Sequence, residues 1–189
     1  IRATAPALPR AVRAALLGTP EGVPEYLEAL LESLEHLNEQ IQRADRAVHE
    51  VAHGDPVCRL LMTMPGVGPV TALSFVCAID EVGRFEHARR VTSYLGLVPG
   101  ERSTGFKTRR TSMTKAGPTR VRWTLNQAAW TLVRTQPDSA LGQWYQQVSE
   151  RRGKKIAISA LTRRMAAILY AMWRDQRPYD AMRAASRHG

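Results

Sequence analysis

Between Tyr94 and Arg122 the chain gathers seven cations, Arg102, Lys107, Arg109, Arg110, Lys115, Arg120 and Arg122, among Ser103, Thr104, Thr108, Thr111, Ser112 and Thr114. Guanidinium and ammonium groups supply charge for phosphates, and neighbouring hydroxyls add neutral hydrogen bonds, so this composition suits contact with a nucleic-acid backbone. A serine surrounded by guanidiniums also has the makings of a nucleophile toward a phosphodiester, because oriented cations stabilise the charge that develops on phosphorus oxygens. From composition alone a turn or capping role for any one of these hydroxyls is the default. A second stretch, Met64-Pro65-Gly66-Val67-Gly68-Pro69-Val70-Thr71-Ala72, lies between two apolar segments. A helix, a tight turn and a second helix there would resemble a helix-hairpin-helix, with turn amides and a helix N-terminus available to a phosphate at Gly66 and Gly68. A plain inter-helix turn is the alternative, and the residues leave that choice open.

His49-Glu50-Val51-Ala52-His53 is formally H-E-x-x-H, the spacing that puts two imidazoles one helical turn apart on a zinc ion. Val48 and Val51 belong to an apolar seam instead, Gly54 and Pro56 cut the helix, and no further His follows at a useful spacing. Nothing positions Asp80 or Glu81 as a third ligand. A zinc peptidase is therefore set aside, and no metal ligand is assigned in this chain.

The elements that must position these groups are legible as an all-α pattern. Val23, Leu27, Leu30, Leu34, Leu37, Ile41, Ala44, Val48 and Val51 recur at 3-4 spacing with polar residues between them, a heptad seam expected to form a coiled-coil arm over 20–55. Such an arm predicts a homo-oligomer through residues 23–51, although a helix folded back on its own domain carries nearly the same stripe. Beyond Pro56 the pattern predicts one helical domain over 56–180. It has a short helix at 85–95, a Gly/Pro/Ser/Thr-rich basic loop at 96–118, and a helix from Pro118 to about Arg134. Further helices are expected at about 138–151 and 154–176. Residues 73–79 and 91–98 are β-branched but fit helices and connections better. Residues 1–19 are expected to be the linker remnant of a longer protein, and 181–189 a tail.

The chain has 189 residues and a formal net charge of +10, with an isoelectric point near 10.4. Residues 1–83 hold 6 Lys/Arg against 11 Asp/Glu, residues 84–134 hold 11 against 2, and residues 151–177 hold 8 against 1. An acidic first part joined to a basic second part points to a polyanion surface on the second. The apolar share of 44% excludes wholesale disorder. No apolar run reaches the roughly 18 residues of a membrane helix. Two cysteines, Cys58 and Cys77, are too few for a disulfide framework and fit a reducing, cytoplasmic setting.

Four segments in order, PGVGPVTA (65–72), RFEHARRVTSYLGLVPGERSTG (84–105), KTRRTSMTKAGPTRVRWTLNQAAW (107–130) and RGKKIAISALTRRMAAILYAMWRDQRPYD (152–180), resemble the carboxy-terminal transposase domain of the insertion-sequence one-ten family, the 110/116/902 type. These are bacterial mobile-element recombinases guided by a bridge RNA. The resemblance implies DNA and guide RNA as partners and a nucleoid-associated place in the bacterial cytoplasm. It implies a serine nucleophile at Ser103, with Thr104 as the adjacent hydroxyl and Gly105 holding the turn open. Thr114, Lys115 and Gly117 match the family's T-K-x-G step and Arg122 its following arginine, implying backbone contact by these residues. It further implies a composite active site with a RuvC-like domain that carries four acidic residues and Mg²⁺. Residues 84–134 contain only Glu86 and Glu101 as acids, so Mg²⁺ is expected in that other domain and no cofactor here. Gly117-Pro118 departs from the family's Gly-Asn or Gly-Asp. A non-catalytic helix-hairpin-helix module that binds DNA or RNA and dimerises is the rival reading, in which Ser103 is a turn residue.

Overall fold

The computed structural model describes residues 4–17, 19, 22–104 and 107–182, with the backbone alone described at 101–104 and 107–112. Parts of the expected linker (1–3 and 18), the first two residues of the expected arm (20 and 21), Gly105 and Phe106, and residues 183–189 of the expected tail lie outside the described residues. Two compact units divide between Glu50 and Val51.

The first unit contains a 3-10 turn at Ala5–Ala7, α1 (Leu8–Leu16) and most of α2 (Glu25–Gly54). Glu25 and Glu28 in the first turn of α2 favour its start through the helix dipole. Its 30 residues extend about 45 Å. α1 runs along the first half of α2 in the opposite chain direction. The Asn38 side-chain amide donates to the Ala5 carbonyl at 3.3 Å. The Arg13 guanidinium bridges Glu28 at 2.7 Å and also pairs with Glu35. Leu31 is the leucine sealed by this packing, at 4% exposure, while Leu30, Leu37 and Ile41 of the seam stand open at 63%, 57% and 57%. The heptad pattern thus divides between two faces. One lies under α1, and the other is apolar and uncovered.

Within the second unit, which takes in the last turn of α2, Asp55 caps a new helix. Its carboxylate accepts from the Cys58 amide at 2.7 Å, and Pro56 sits in the first turn, where a missing N–H costs nothing. α3 (Pro56–Leu61) turns through Met62–Gly68 into α4 (Pro69–Ile79). A 3-10 turn at Val82–Arg84 leads to α5 (Ala88–Tyr94), capped by the His87 imidazole on the Arg90 amide. Then come α6 (Thr119–Thr135), α7 (Ala140–Arg152), capped by the Ser139 hydroxyl on the Gly142 amide, and α8 (Lys154–Asp175). α8 is the axle of this unit and packs against α3, α5, α6 and α7. Ala157, Leu161, Met165, Ala166 and Leu169 are fully buried along it, and the Tyr170 hydroxyl donates to the Phe85 carbonyl. Val121, Leu125, Ala128 and Leu132 of α6, at 3-4 spacing, are buried in the same core. Burying side chains of this size contributes on the order of 1.5–3 kcal/mol each.

The class is all-α, with one exception inside the basic loop expected at 96–118. Most of that segment is an antiparallel ribbon of β1 (Pro99–Thr104) and β2 (Lys107–Met113). Strand reading rests on apolar alternation, and a ribbon with no apolar face shows none; its order comes from backbone pairing, to which hydropathy is blind.

Candidate nucleic-acid interface

The ribbon stands on a neck where two distant stretches meet backbone to backbone. The Thr114 amide donates to the Val98 carbonyl at 2.9 Å and the Lys115 amide to the Gly96 carbonyl at 3.2 Å. Side chains would prevent this approach. A Cβ on Gly96 (φ +67°) would lie 2.5 Å from the Ala116 carbonyl oxygen, and one on Gly117 (φ +139°) 2.2 Å from that of Tyr94. Lys115 itself takes a left-handed φ of 54° to complete the crossing. Arg122, on the first turn of α6, ties the neck from below. One guanidinium nitrogen donates to the Gly117 carbonyl at 2.6 Å and the Leu95 carbonyl at 3.3 Å, and the other to the Thr119 hydroxyl at 3.0 Å. Hydrogen bonds from a charged donor are each worth about 1.5–3 kcal/mol. Arg122, expected on a phosphate, is here engaged with the protein's own carbonyls.

Above the neck the register sets Glu101 opposite Arg110, Arg102 opposite Arg109, Ser103 opposite Thr108 and Thr104 opposite Lys107, with an irregularity between Pro99 and Glu101. Ser103 therefore lies one residue from the end of β1, near the tip of the ribbon. Thr114, Lys115 and Arg120 are exposed at its root. One continuous structural element thus carries Arg102, Ser103, Thr104, Lys107, Arg109, Arg110, Thr114 and Lys115, with Arg120 on the helix that follows.

The two glycines of the α3–α4 turn occupy unlike places. Gly66 (φ +82°) is pressed on α6, where a Cβ would meet the Ala128 carbonyl oxygen at 2.4 Å and the Leu132 amide at 3.0 Å. Its requirement is close helix packing. Gly68 precedes α4 as its N-cap, no side chain caps that end, and a Cβ there would meet nothing within 4 Å. Of the two it is Gly68 that lies at an open helix N-terminus.

His49 and His53 lie in the last turns of α2. Among the described residues no three His, Cys, Asp or Glu side chains converge where a metal could sit. Cys58 is buried, and that burial, with Asp55 beside it, pushes its thiol up to about 12, far from a reactive thiolate. No helix among the described residues is long and apolar enough to cross a membrane.

The outer face of α6 lies outside the residues expected to make contact, Arg120 apart. Once Val121, Leu125, Ala128 and Leu132 point inward, Arg120, Trp123, Gln127, Trp130 and Arg134 must point out, and all five are exposed. The signal was present as the complement of the core stripe, two tryptophans where a solvated face has no use for them.

Residues 58–143 match the family described as Transposase IS116/IS110/IS902. A probable family 20 transposase of Pseudomonas aeruginosa is 31% identical over 155 residues, which cover 81% of this chain and 46% of that protein. The transposase for insertion sequence element IS1111A of Coxiella burnetii is 28% identical over 174 residues, 91% of this chain and 48% of that one. A putative transposase of Sinorhizobium fredii is 49% identical over a shorter stretch of 75 residues, 40% of this chain and 19% of the relative. Residues 58–143, which lie in the helical unit and include its basic ribbon, thus carry the domain of the IS116/IS110/IS902 family. The chain spans about half the length, or less, of these curated relatives.

Proposed function

We propose that this chain is the nucleic-acid-handling and strand-exchanging part of a DNA transposase, with Ser103 as its nucleophile. The observation that carries the reading is the neck. The stretches around Gly96 and Gly117 interlock, and Arg122 ties both to α6, so a basic ribbon bearing Ser103 is held out on a rigid base. Rigid mounting is what in-line attack demands, because misplacement by about 1 Å is enough to cost on the order of 100-fold in rate. In the proposed step the Ser103 hydroxyl loses its proton to a base, its oxygen forms a bond to the scissile phosphorus, and the bond from phosphorus to one sugar oxygen breaks. The freed sugar oxygen takes up a proton. The strand end remains as a phosphoserine ester until a second strand's hydroxyl reverses the chemistry. Arg102, Lys107, Arg109, Arg110 and Lys115 offset phosphate charge, Thr104 and Thr114 add hydroxyl contacts, and Arg120 extends the charge onto α6.

The residues near the ribbon do not fit a Mg²⁺ site, since Glu86 and Glu101 are the only acids from 84 to 134 and hard cations need several oxygen ligands. A metal site therefore falls to the carboxylates of a separate RuvC-like domain. Guide RNA is a second polyanion for the same basic surface, the bacterial nucleoid is the setting, and the open leucine face of α2 supports self-association through 23–51. The test uses the full-length parent with its RNA and a nicked suicide DNA substrate. A covalent protein–DNA adduct mapped by mass spectrometry to Ser103, and absent in Ser103→Ala, is the expected result. Tight binding with no adduct, and recombination unchanged in Ser103→Ala, would leave a binding and dimerisation module whose chemistry lies elsewhere.

A further inference from the structure

The outer face of α6 carries Arg120, Trp123, Gln127, Trp130 and Arg134 at spacings of 3, 4, 3 and 4, which align them in one stripe. Trp123 is 62% exposed and Trp130 41% exposed. Burying an indole is among the largest single gains a side chain offers, so two left open on one face mark a contact surface. Trp130 is braced edge-on by Tyr145 of α7, ring centres 6.2 Å apart, which fixes one ring in place. The two tryptophans are seven residues apart, about 10.5 Å along the axis.

Charge decides what covers them. α6 has three arginines and neither Asp nor Glu from Thr119 to Thr135, and the stripe ends in an arginine at each side. A protein partner would need a compensating acidic rim around an apolar centre. A nucleic-acid strand supplies both complements at once, flat π faces for the indoles and phosphates for Arg120 and Arg134. Paired bases present no faces, so the matching ligand is an unpaired strand. The geometry points to a stacking platform on α6 for unpaired DNA or RNA bases, in which Trp123 and Trp130 receive bases and Gln127, exposed between them, faces a base edge. The platform starts one residue after Thr119 at the foot of the ribbon, so a strand lying on it leads toward the proposed nucleophile. This rests on the reading of the chain as a nucleic-acid-handling domain.

The test measures fluorescence anisotropy of four fifteen-nucleotide probes: oligothymidylate, oligouridylate, an abasic strand of equal charge, and a duplex. Wild type is compared with Trp123→Ala and Trp123→Phe, and circular dichroism confirms that each variant is folded. Trp123→Ala is expected to weaken oligothymidylate or oligouridylate binding tenfold or more. It should change abasic and duplex affinities less than twofold, and Trp123→Phe should recover most of the loss. Whichever of the two base-bearing strands loses more identifies the ligand as DNA or RNA. Equal loss on the abasic strand, or no loss on any probe, overturns the platform. So does unchanged binding with reduced self-association in sedimentation, which marks the stripe as a protein contact. Wild type that binds duplex but not single strands also overturns the platform alone, while wild type that binds none of the probes removes the nucleic-acid reading beneath it.

Discussion

In the unit that begins at Val51, Leu161, Leu169 and Met165 of α8 are wholly buried, whereas in α2 Leu30, Leu37 and Ile41 stand 57–63% exposed. Both regions are helical, and both repeat apolar residues at helical spacing. They differ in the number of neighbours each helix has. α8 packs against four helices, so nearly every apolar residue along it has a place to go. α2 carries α1 along its first half while Leu30, Leu37 and Ile41 stay uncovered, and two helices can bury one stripe each. Apolar periodicity therefore reports that a face is destined for burial, and the count of surrounding helices tells whether the burial is complete within the chain.

The strongest challenge to this contrast is a methyl group in the compact unit. Gly117→Ala forces a Cβ to 2.2 Å from the Tyr94 carbonyl oxygen at a φ of +139°. Clash and backbone strain together are expected to cost about 3 kcal/mol or more. The same change at Gly22, in the arm, meets nothing within 4 Å and carries only the strain of its φ of +61°, about 1 kcal/mol. Urea unfolding of both variants compares them, and equal losses would show that the neck is no more constrained than the arm.

Arg122→Met comes next. It leaves the Leu95 and Gly117 carbonyls without their charged donor and is expected to cost about 2 kcal/mol. Hydrogen exchange should quicken selectively at the Thr114 and Lys115 amides that close the neck. If those amides keep their protection, the glycine interlock alone holds the ribbon.

A smaller effect on the isolated fold, within about 0.5 kcal/mol, is expected for Leu37→Lys combined with Ile41→Lys, because both side chains are already exposed. Sedimentation should nevertheless show any self-association lost. An unchanged oligomer would relocate that contact away from α2.

The slightest effect belongs to the pairing of α1 with α2. The hydrogen bond from Arg13 holds the Glu35 carboxyl below its ordinary value. A carboxylate depressed in the folded state stabilises above the unfolded pKa and loses that contribution as pH falls through the folded one. Amide exchange in α1 should therefore rise on acidification through the carboxylate range while α8 stays protected. Simultaneous loosening of both would mean that the arm and the helical unit unfold as one.

How much of this was legible beforehand varied with the kind of interaction. The inward faces of α6 and α8 followed from Val121, Leu125, Leu161 and Leu169, since helical period maps directly onto burial. The ribbon did not, because the strands around Arg102–Thr104 and Thr108–Arg110 have no apolar face to alternate. Arg122 read as one more cation in a basic stretch, because nothing local says that the carbonyls of Leu95 and Gly117 will come within its reach. Gly66 read equally well as a phosphate contact or a turn until α6 lay against it.

By itself the amino-acid sequence determined the all-α class, the inward stripes, the concentration of cations and the resemblance that singles out Ser103, all of which depend on residue type and near spacing. Only the tertiary structure decided that two glycine-bearing stretches interlock beneath the ribbon, that Arg122 serves the neck, and that Trp123 and Trp130 share an open face. Those outcomes depend on which distant backbones approach each other. Close approach is set by the packing of whole helices, and no local pattern encodes it.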